Sequence, residues 1–518
     1  MAQLIERHAR TDPDRIALID STGATSWGAF NARVNRLING LRRLGLERGD
    51  LISIYAGNSR AYYELMAAAG HAGILFVPVN WHFTPEELAY VVANSESKLL
   101  IVDAEFTANA QAALARGETP SLRACIRIGG SVPGFLDYEA FIAAASDSEP
   151  ADQTAGGPMF YTSGTTGRPK GVRSAGGAPP SIEMMAMMGT GLANLLSIPA
   201  DGTTLLCGPV YHSAQWAFSY LPLIAGSTVV MRQRFDPAEV LELIDRHAVT
   251  NVHLVPTQFH RLLSLDDATR SRFSGRSLKV IWHGAAPCSP DVKRRMIEWW
   301  GDVVYEYYGS TEGSIVTTAS AAEWRERPGT LGKATPMVEL RIVADDMTLA
   351  PPGVAGQIYV RNRMGTDFEY HKEPGKTAAA HLEPGVFTFG DIGYLDADGY
   401  LFLSDRKIDM IISGGVNIYP AEIEAVLTMH PDVLDAAVFG IPNDEFGEEV
   451  KGAVQLKVPE LASVELAAVL IAHCRAHLAG YKAPRSIDFV AALPRHETGK
   501  LYKRLLRDKY WEGTGRKI

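Results

Sequence analysis

Tyr161-Thr162-Ser163-Gly164-Thr165-Thr166-Gly167-Arg168-Pro169-Lys170-Gly171-Val172 is a run of hydroxyl and glycine residues with two cations and no acid. Hydroxyls at 162, 163, 165 and 166 offer donors. The glycines let successive backbone N–H groups turn onto one concavity with no Cβ in the way. Arg168 and Lys170 add charge-assisted hydrogen bonds, so the stretch is suited to holding phosphate. It is not an ordinary P-loop of the form G-x-x-x-x-G-K-[ST]: Gly164 and Gly167 stand too close, and Lys170 is followed by Gly171. A solvated turn has no need of so many donors together.

Outward from this loop, short apolar runs alternate with amphipathic helical stretches. On the amino-terminal side the runs are Ile16–Ile19, 51–54, 74–79 and 99–102, with helices near 29–44, 60–72 and 85–93. On the carboxyl-terminal side strands are expected near 203–207, 228–231, 251–255, 278–282 and 303–307. Strands spaced by helices predict parallel βαβ units, with ligands bound just beyond the carboxyl ends of the strands. Two stretches fall there. His283-Gly284-Ala285-Ala286 is small enough for a flat ring to approach, and Tyr307-Tyr308 offers an aromatic pair to stack on it. Residues 112–155, rich in Ala, Ser, Gly and Asp, carry no periodic signal and read as a link.

A chain of 518 residues exceeds one ordinary core, and 46% apolar with 21% charged residues is normal for a globular protein. A net charge of -9 gives no basic footprint for nucleic acid or anionic lipid. Cys125, Cys207, Cys288 and Cys474 lack metal-ligand spacing and suggest no disulfide framework. No apolar run reaches membrane-span length, and the amino terminus has no leader pattern, so a cytoplasmic, unprocessed monomer or homodimer is expected. The fold expectation is α/β. A large amino-terminal domain of doubly wound parallel sheets with a β-rich subdomain would cover residues 1–405, and a small α+β domain residues 406–518. In the latter Met410–Ser413 is apolar, helices lie near 420–429 and 464–479, and strands near 436–440 and 452–458.

Tyr-Thr-Ser-Gly-Thr-Thr-Gly-Arg-Pro-Lys-Gly resembles the phosphate-binding signature of the adenylate-forming enzymes: acyl-CoA synthetases, peptide-synthetase adenylation domains and beetle luciferases. Tyr308-Gly309-Ser310-Thr311-Glu312 resembles the second signature of that family, Gly390-Asp391-Ile392-Gly393-Tyr394 its ribose motif, and Pro494-x-x-x-x-Gly499-Lys500-x-x-x-Arg504 its terminal motif. The resemblance spans essentially the whole chain, in the family's order. It implies that Thr162–Gly167 and Lys170 hold ATP phosphates, and that Tyr308 stacks on adenine beside Ala285 and Ala286. It also implies that Thr311 contacts phosphate, Glu312 holds Mg2+, Asp391 takes the ribose, Arg406 is the second ribose or phosphate contact, and Lys500 is the catalytic lysine. Magnesium is usually held by one or two carboxylates plus substrate phosphates, and the phosphate loop has no acid of its own.

The implied chemistry is two half-reactions: a carboxylate attacks the α-phosphate of ATP and expels pyrophosphate, then the thiol of coenzyme A attacks the acyl-adenylate and expels AMP. The small domain is mobile in the family, pivoting about Arg406–Asp409 and presenting Gly414-Gly415 to a pantetheine channel. Tyr211-His212-Ser213-Ala214-Gln215-Trp216 resembles the motif at the head of the acyl pocket. Peptide-synthetase domains usually put an aspartate where His212 stands, to meet the substrate ammonium; none stands there. His212 and Trp216, four apart on an expected helix, give an aromatic wall suited to a hydrophobic acid: a fatty acid, a steroid side-chain acid or an aryl acid. Two residues depart from the family pattern. Gln215 stands where many relatives carry glycine and should alter the pocket floor or width, and Ile408 replaces a polar hinge residue. Alternatives are a ligase loading a separate acyl carrier protein, a luciferase-like oxygenase, and a non-catalytic nucleotide-binding protein. Retention of Glu312, Asp391, Arg406 and Lys500 together argues against the last.

Overall fold

A computed structural model describes residues 3–162, 168–175, 181–406, 409–413, 416–443, 445–495 and 501–512, with the main chain alone at 3, 188, 405, 406 and 417. It divides into two units. The first comprises residues 1–254, 265–282 and 366–378, and the second residues 255–264, 283–365 and 379–518.

The first unit is built on parallel sheet. Its six-stranded sheet runs in the order Leu136–Asp137, Ala124–Ile128, Leu99–Asp103, Leu51–Tyr55, Leu75–Pro78, Gly157–Pro158, with every neighbouring pair parallel. A second series runs Asn251–Leu254, Thr203–Leu206, Thr228–Met231, Ile16–Asp20 in parallel, ending on the antiparallel Gly23–Ser26. Central strands such as Leu99-Leu100-Ile101-Val102 are apolar on both faces because both faces are covered. Helices Trp27–Arg43 and Arg60–Ala72 share one apolar core with strands of both sheets: Phe30, Leu37, Tyr62, Met66, Ile54, Phe76, Leu18 and Val229 are all fully buried. Alanines 67–69 in that helix let it lie buried on every face. The other face of the six-stranded sheet packs Val77, Leu100 and Val102 on Leu88, Val91 and Val92 of helix Pro85–Ser95.

The expected strands and helices of this unit appear at their places. The segment 112–155 differs, since it supplies the last two strands on one side of the sheet and helix Tyr138–Ala143. Ala124-Cys125-Ile126-Arg127-Ile128 is the second strand from that edge and only half-covered, and its arginine interrupts the apolar signal that marks the central ones.

The second unit is mostly antiparallel. Val304–Ser310, Ser314–Ala319 and Lys333–Ala334 form one meander. Val338–Val343, Gly356–Asn362, Val386–Leu395, His381–Glu383 and Leu401–Arg406 form a five-stranded sheet. The carboxyl-terminal part is a small α+β layer pair. Strands Val433–Asn443 and Gly447–Leu456 pair along their length, helices Pro420–Thr428 and Val464–His477 cover one face, and Lys503–Trp511 contributes Leu506 to the other. Both strands outrun their apolar runs, because Asp435, Asn443, Glu448 and Glu449 continue the pairing with side chains turned outside the core.

Candidate active site

The phosphate-loop sequence is the connection of a β-hairpin in the first unit. Phe160–Thr162 pairs antiparallel with Lys170–Ala175, Thr162 opposite Lys170 and Tyr161 opposite Gly171. Asp367–Tyr370, nearly two hundred residues further on, adds the third strand to the hairpin. Side chains alternate across such a strand, so Lys170 and Thr162 share a face opposite to Tyr161 and Arg173. Both cations flanking the loop lie on aromatic rings: the Arg168 guanidinium 5.0 Å from the centroid of Tyr90, the Lys170 ammonium 4.9 Å from that of Tyr370. Such contacts hold a charge in place at modest cost, ready to move to a stronger anion. Ser163, Gly164, Thr165, Thr166 and Gly167 lie outside the described residues.

In the same unit His212 is the N-cap of helix Ser213–Ala225, and its carbonyl accepts from the Trp216 N–H at 2.9 Å. Trp216 meets Phe160 edge-on with centroids 5.8 Å apart and stacks on Tyr220 at 5.7 Å. Its indole Nε1 is buried with no hydrogen-bond partner among the described residues. Gln215 is buried. Its amide donates to His253 Nδ1 at 2.9 Å, and its side chain lies against Gly208, where any Cβ would come within 2.4 Å of it. Burial alone pushes the His253 imidazolium down to about 3, so the ring is neutral and its Nδ1 accepts. Helix Ser213–Ala225 carries no charged residue. Of the methionines on the neighbouring helix Ile182–Leu195, Met185 packs on the core while Met184 and Met187 are exposed.

The second unit carries the other motif residues. Strand Val304–Ser310 puts Glu306 and Tyr308 on one face and Tyr307 on the other. The Tyr308 hydroxyl donates to Asp391 Oδ2 at 2.7 Å, and the Tyr308 ring lies 6.0 Å from that of Phe389. Asp391 is thereby oriented by the residue expected to cover the base, and it stands opposite Arg406 in strand register. Tyr307 is buried against Gly284, where a Cβ would sit 2.6 Å from both the Tyr307 ring and its carbonyl oxygen. The next residue, Ala285, has φ +65, a left-handed conformation that costs a residue bearing Cβ of order 1 kcal/mol. Strain at this point of the chain fits a loop shaped for close approach. Ser310 Oγ accepts from the N–H groups of Glu312 and Gly313, each at 3.1 Å, which tightens the turn carrying Thr311 and Glu312. Glu312 and Thr311 offer hard oxygen donors of the kind magnesium takes. Among the described residues no three His, Cys, Asp or Glu side chains form a cation cage.

Beneath this strand lies an ion pair with no counterpart in the motif analysis. Lys293, fully buried on helix Pro290–Trp300, bonds Glu306, and its ammonium lies 5.2 Å from the Trp324 centroid. His283 Nε2 stands 3.9 Å from the same carboxylate. Burial pushes the Glu306 carboxyl up, and the Lys293 ammonium opposes it. Neither residue was marked by spacing or composition. Lys293 sits in a run that reads as a solvated basic helix, Val292-Lys293-Arg294-Arg295. Lys500, Gly414, Gly415, Lys407 and Ile408 lie outside the described residues, and of Arg406 only the main chain is described.

Comparison with known proteins gives a consistent result. Residues 5–366 match the model of the AMP-binding enzymes, and residues 422–500 match the AMP-binding enzyme C-terminal domain. The chain is 34% identical to feruloyl-CoA synthase of an Amycolatopsis species over 97% of its own length and 98% of that protein. It is 30% identical to indoleacetate–CoA ligase of Aromatoleum aromaticum over 97% and 96%. Its fold superposes on the crystal structure of the anthranilate CoA ligase AuaEII in complex with anthranoyl-AMP with a TM-score of 0.89, at 25% identity, covering 99% and 98% of the two chains.

Proposed function

Because the chain belongs to the AMP-binding enzyme family of adenylate-forming acyl ligases, we propose that it is an AMP-forming acyl-CoA synthetase acting on a hydrophobic, aromatic carboxylic acid. The observation that carries the choice of acid is the helix Ser213–Ala225. It has no charge to meet a substrate ammonium, and it presents Trp216 in an aromatic set with Phe160 and Tyr220. Likeness to ligases named for feruloyl, indoleacetate and anthranilate substrates supports the same class.

In this reading ATP enters with its phosphates at Thr162–Lys170 and its base at Gly284–Ala286 and Tyr308, the Asp391 carboxylate accepting from the ribose hydroxyls with Arg406. Glu312 would hold Mg2+, which when bound offsets charge on the phosphates. Two anions must meet in the first step. The acid's carboxylate oxygen bonds to the α-phosphorus as the bond to pyrophosphate breaks, so the incoming charge is met by Lys500 and by the cations of the loop. Arg168 leaves Tyr90 for the phosphates at little cost, since a cation–π contact is worth about 1 kcal/mol. No protein nucleophile is required. In the second step the CoA thiol attacks the acyl carbonyl and AMP leaves. The lysine that covered the phosphate must withdraw first; the family resemblance implies Arg406–Asp409 as the pivot and Gly414-Gly415 on the face then presented.

The test offers ATP, magnesium and a panel of fatty, aryl and amino acids, with CoA or a carrier protein as acceptor. CoA-dependent AMP formation with an aryl acid is the expected result. Preference for an amino acid would overturn the substrate class, and transfer to a carrier protein alone would replace CoA as acceptor.

A further inference from the structure

The phosphate-loop hairpin is fastened at both ends to one residue that no motif contains. Tyr161, at the loop's entrance, donates its hydroxyl to Asn94 Oδ1 at 2.6 Å. Past the loop's exit, the Gly171 carbonyl accepts from the His371 N–H at 2.8 Å. The imidazole of His371 then donates from Nε2 to the main-chain oxygen of Asn94 at 3.0 Å, and Lys372 Nζ donates to the same oxygen at 3.0 Å.

Asn94 lies in the last turn of helix Pro85–Ser95, where carbonyls lack intrahelical partners and the helix end carries partial negative charge. That oxygen is therefore a strong acceptor for one neutral ring and one cation. Lys372 holds a left-handed φ of +58 while also pairing with Glu96 at 3.1 Å. Its strained backbone is kept by these bonds. On the other side of His371, Nδ1 faces Arg173 Nη1 at 3.4 Å. Proton assignment follows: Nε2 carries the hydrogen and Nδ1 accepts. Burial first, and then Arg173 and Lys372, hold the imidazolium below its ordinary range and keep the ring in that state.

We propose that Asn94 is a positioning residue for ATP: by tying Tyr161 and, through His371, Gly171 to one helix end it fixes the position of the paired strands that flank the phosphate loop. Thr162 and Lys170, on strands so held, have less freedom to lose when they meet phosphate, so nucleotide affinity rises while acid binding is untouched. This rests on the function proposed above, and the experiment separates the two.

ATP binding to the full chain is measured directly by calorimetry, alongside KM for ATP, KM for the acid, kcat and Tm. The variants are Tyr161→Phe, which removes one oxygen and keeps the shape, Asn94→Leu, and Asn94→Asp, which retains the acceptor. Tyr161→Phe and Asn94→Leu should weaken ATP binding and raise its KM about five- to tenfold, the usual worth of one buried hydrogen bond, with the KM of the acid unchanged. Asn94→Asp should restore nucleotide affinity toward that of the parent. If the parent binds no ATP, the proposed function fails and this inference with it. If the parent binds ATP and Tyr161→Phe binds it equally well, the inference alone is overturned. A fall in Tm with both KM values unchanged would likewise reduce the knot to a structural tie.

Discussion

The two units support their halves of the motif set in opposite ways. In the first, the hairpin strands are held by a tyrosine hydroxyl on an amide, by a neutral imidazole and the Lys372 ammonium on one carbonyl, and by two cations lying on rings. In the second, Tyr308, whose hydroxyl holds Asp391, stands on the strand that carries Glu306 of the buried Lys293–Glu306 pair, and the chain is strained at Ala285. In the function proposed above, the part that yields to a ligand is held by bonds worth about 1 kcal/mol each, whereas the part that keeps its shape rests on a pair whose loss is costly. A phosphate loop changes partners in every turnover. A base slot has no need to.

The largest effect expected is chemical. Lys500→Ala should lower adenylation of the acid by at least about a hundredfold, the scale on which one electrostatic contact to a transition state counts. CoA attack on supplied acyl-adenylate should be largely spared. Separate assays of pyrophosphate release and thioester formation check this, and equal loss in both would place the lysine in one fixed site serving both steps.

Next comes the rigid half. Lys293→Met leaves Glu306 buried without its partner and should cost about 3–5 kcal/mol in denaturant unfolding, while Lys293→Met with Glu306→Leu should recover most of it. If the single variant loses under about 1 kcal/mol, the pair is a surface-like contact and the contrast between the two units weakens.

Acid should act on the first unit. His71, fully buried in the core helix, and His253 titrate at about 4 and about 3, both lowered chiefly by burial, against 6.5 for an ordinary histidine. Between 6.5 and those values the unfolded chain binds protons that the folded chain refuses. Stability should therefore be lost as pH falls below 6.5, by up to about 1.4 kcal/mol per pH unit for each ring, levelling once the folded rings protonate. Unfolding midpoints followed from pH 7 to pH 4 test it. A variant such as His253→Asn with an unaltered slope would show that this ring carries none of the effect.

The smallest effect concerns selectivity. Trp216→Ala should favour bulkier acids over small ones by a fewfold to tenfold in kcat/KM, because a truncated indole leaves a cavity that a larger acyl group refills. Uniform loss across acid sizes would assign Trp216 to the core it already touches through Tyr220.

How far these contrasts could be read beforehand follows from their chemistry. The parallel sheets were legible because central strands are apolar on both faces. Strand Ala124–Ile128, next to the sheet edge, was not, since half-coverage admits Arg127 and breaks the pattern. Motif residues were legible as types with a purpose at close spacing. Their supports were not: Asn94 lies 67 positions from Tyr161 and 277 from His371, and an asparagine near a helix end looks like any cap. Gln215 was marked as altering the pocket floor or width, but only the fold supplies its buried partner, His253.

The account stands or falls on acid-dependent activation of ATP. Exchange of labelled pyrophosphate into ATP, measured with magnesium and an aryl acid but no CoA, isolates that step. The account predicts exchange that requires the acid, is unaffected by leaving CoA out, and disappears in Lys500→Ala. Exchange without any acid, or none with any acid under conditions where ATP binds, would contradict it.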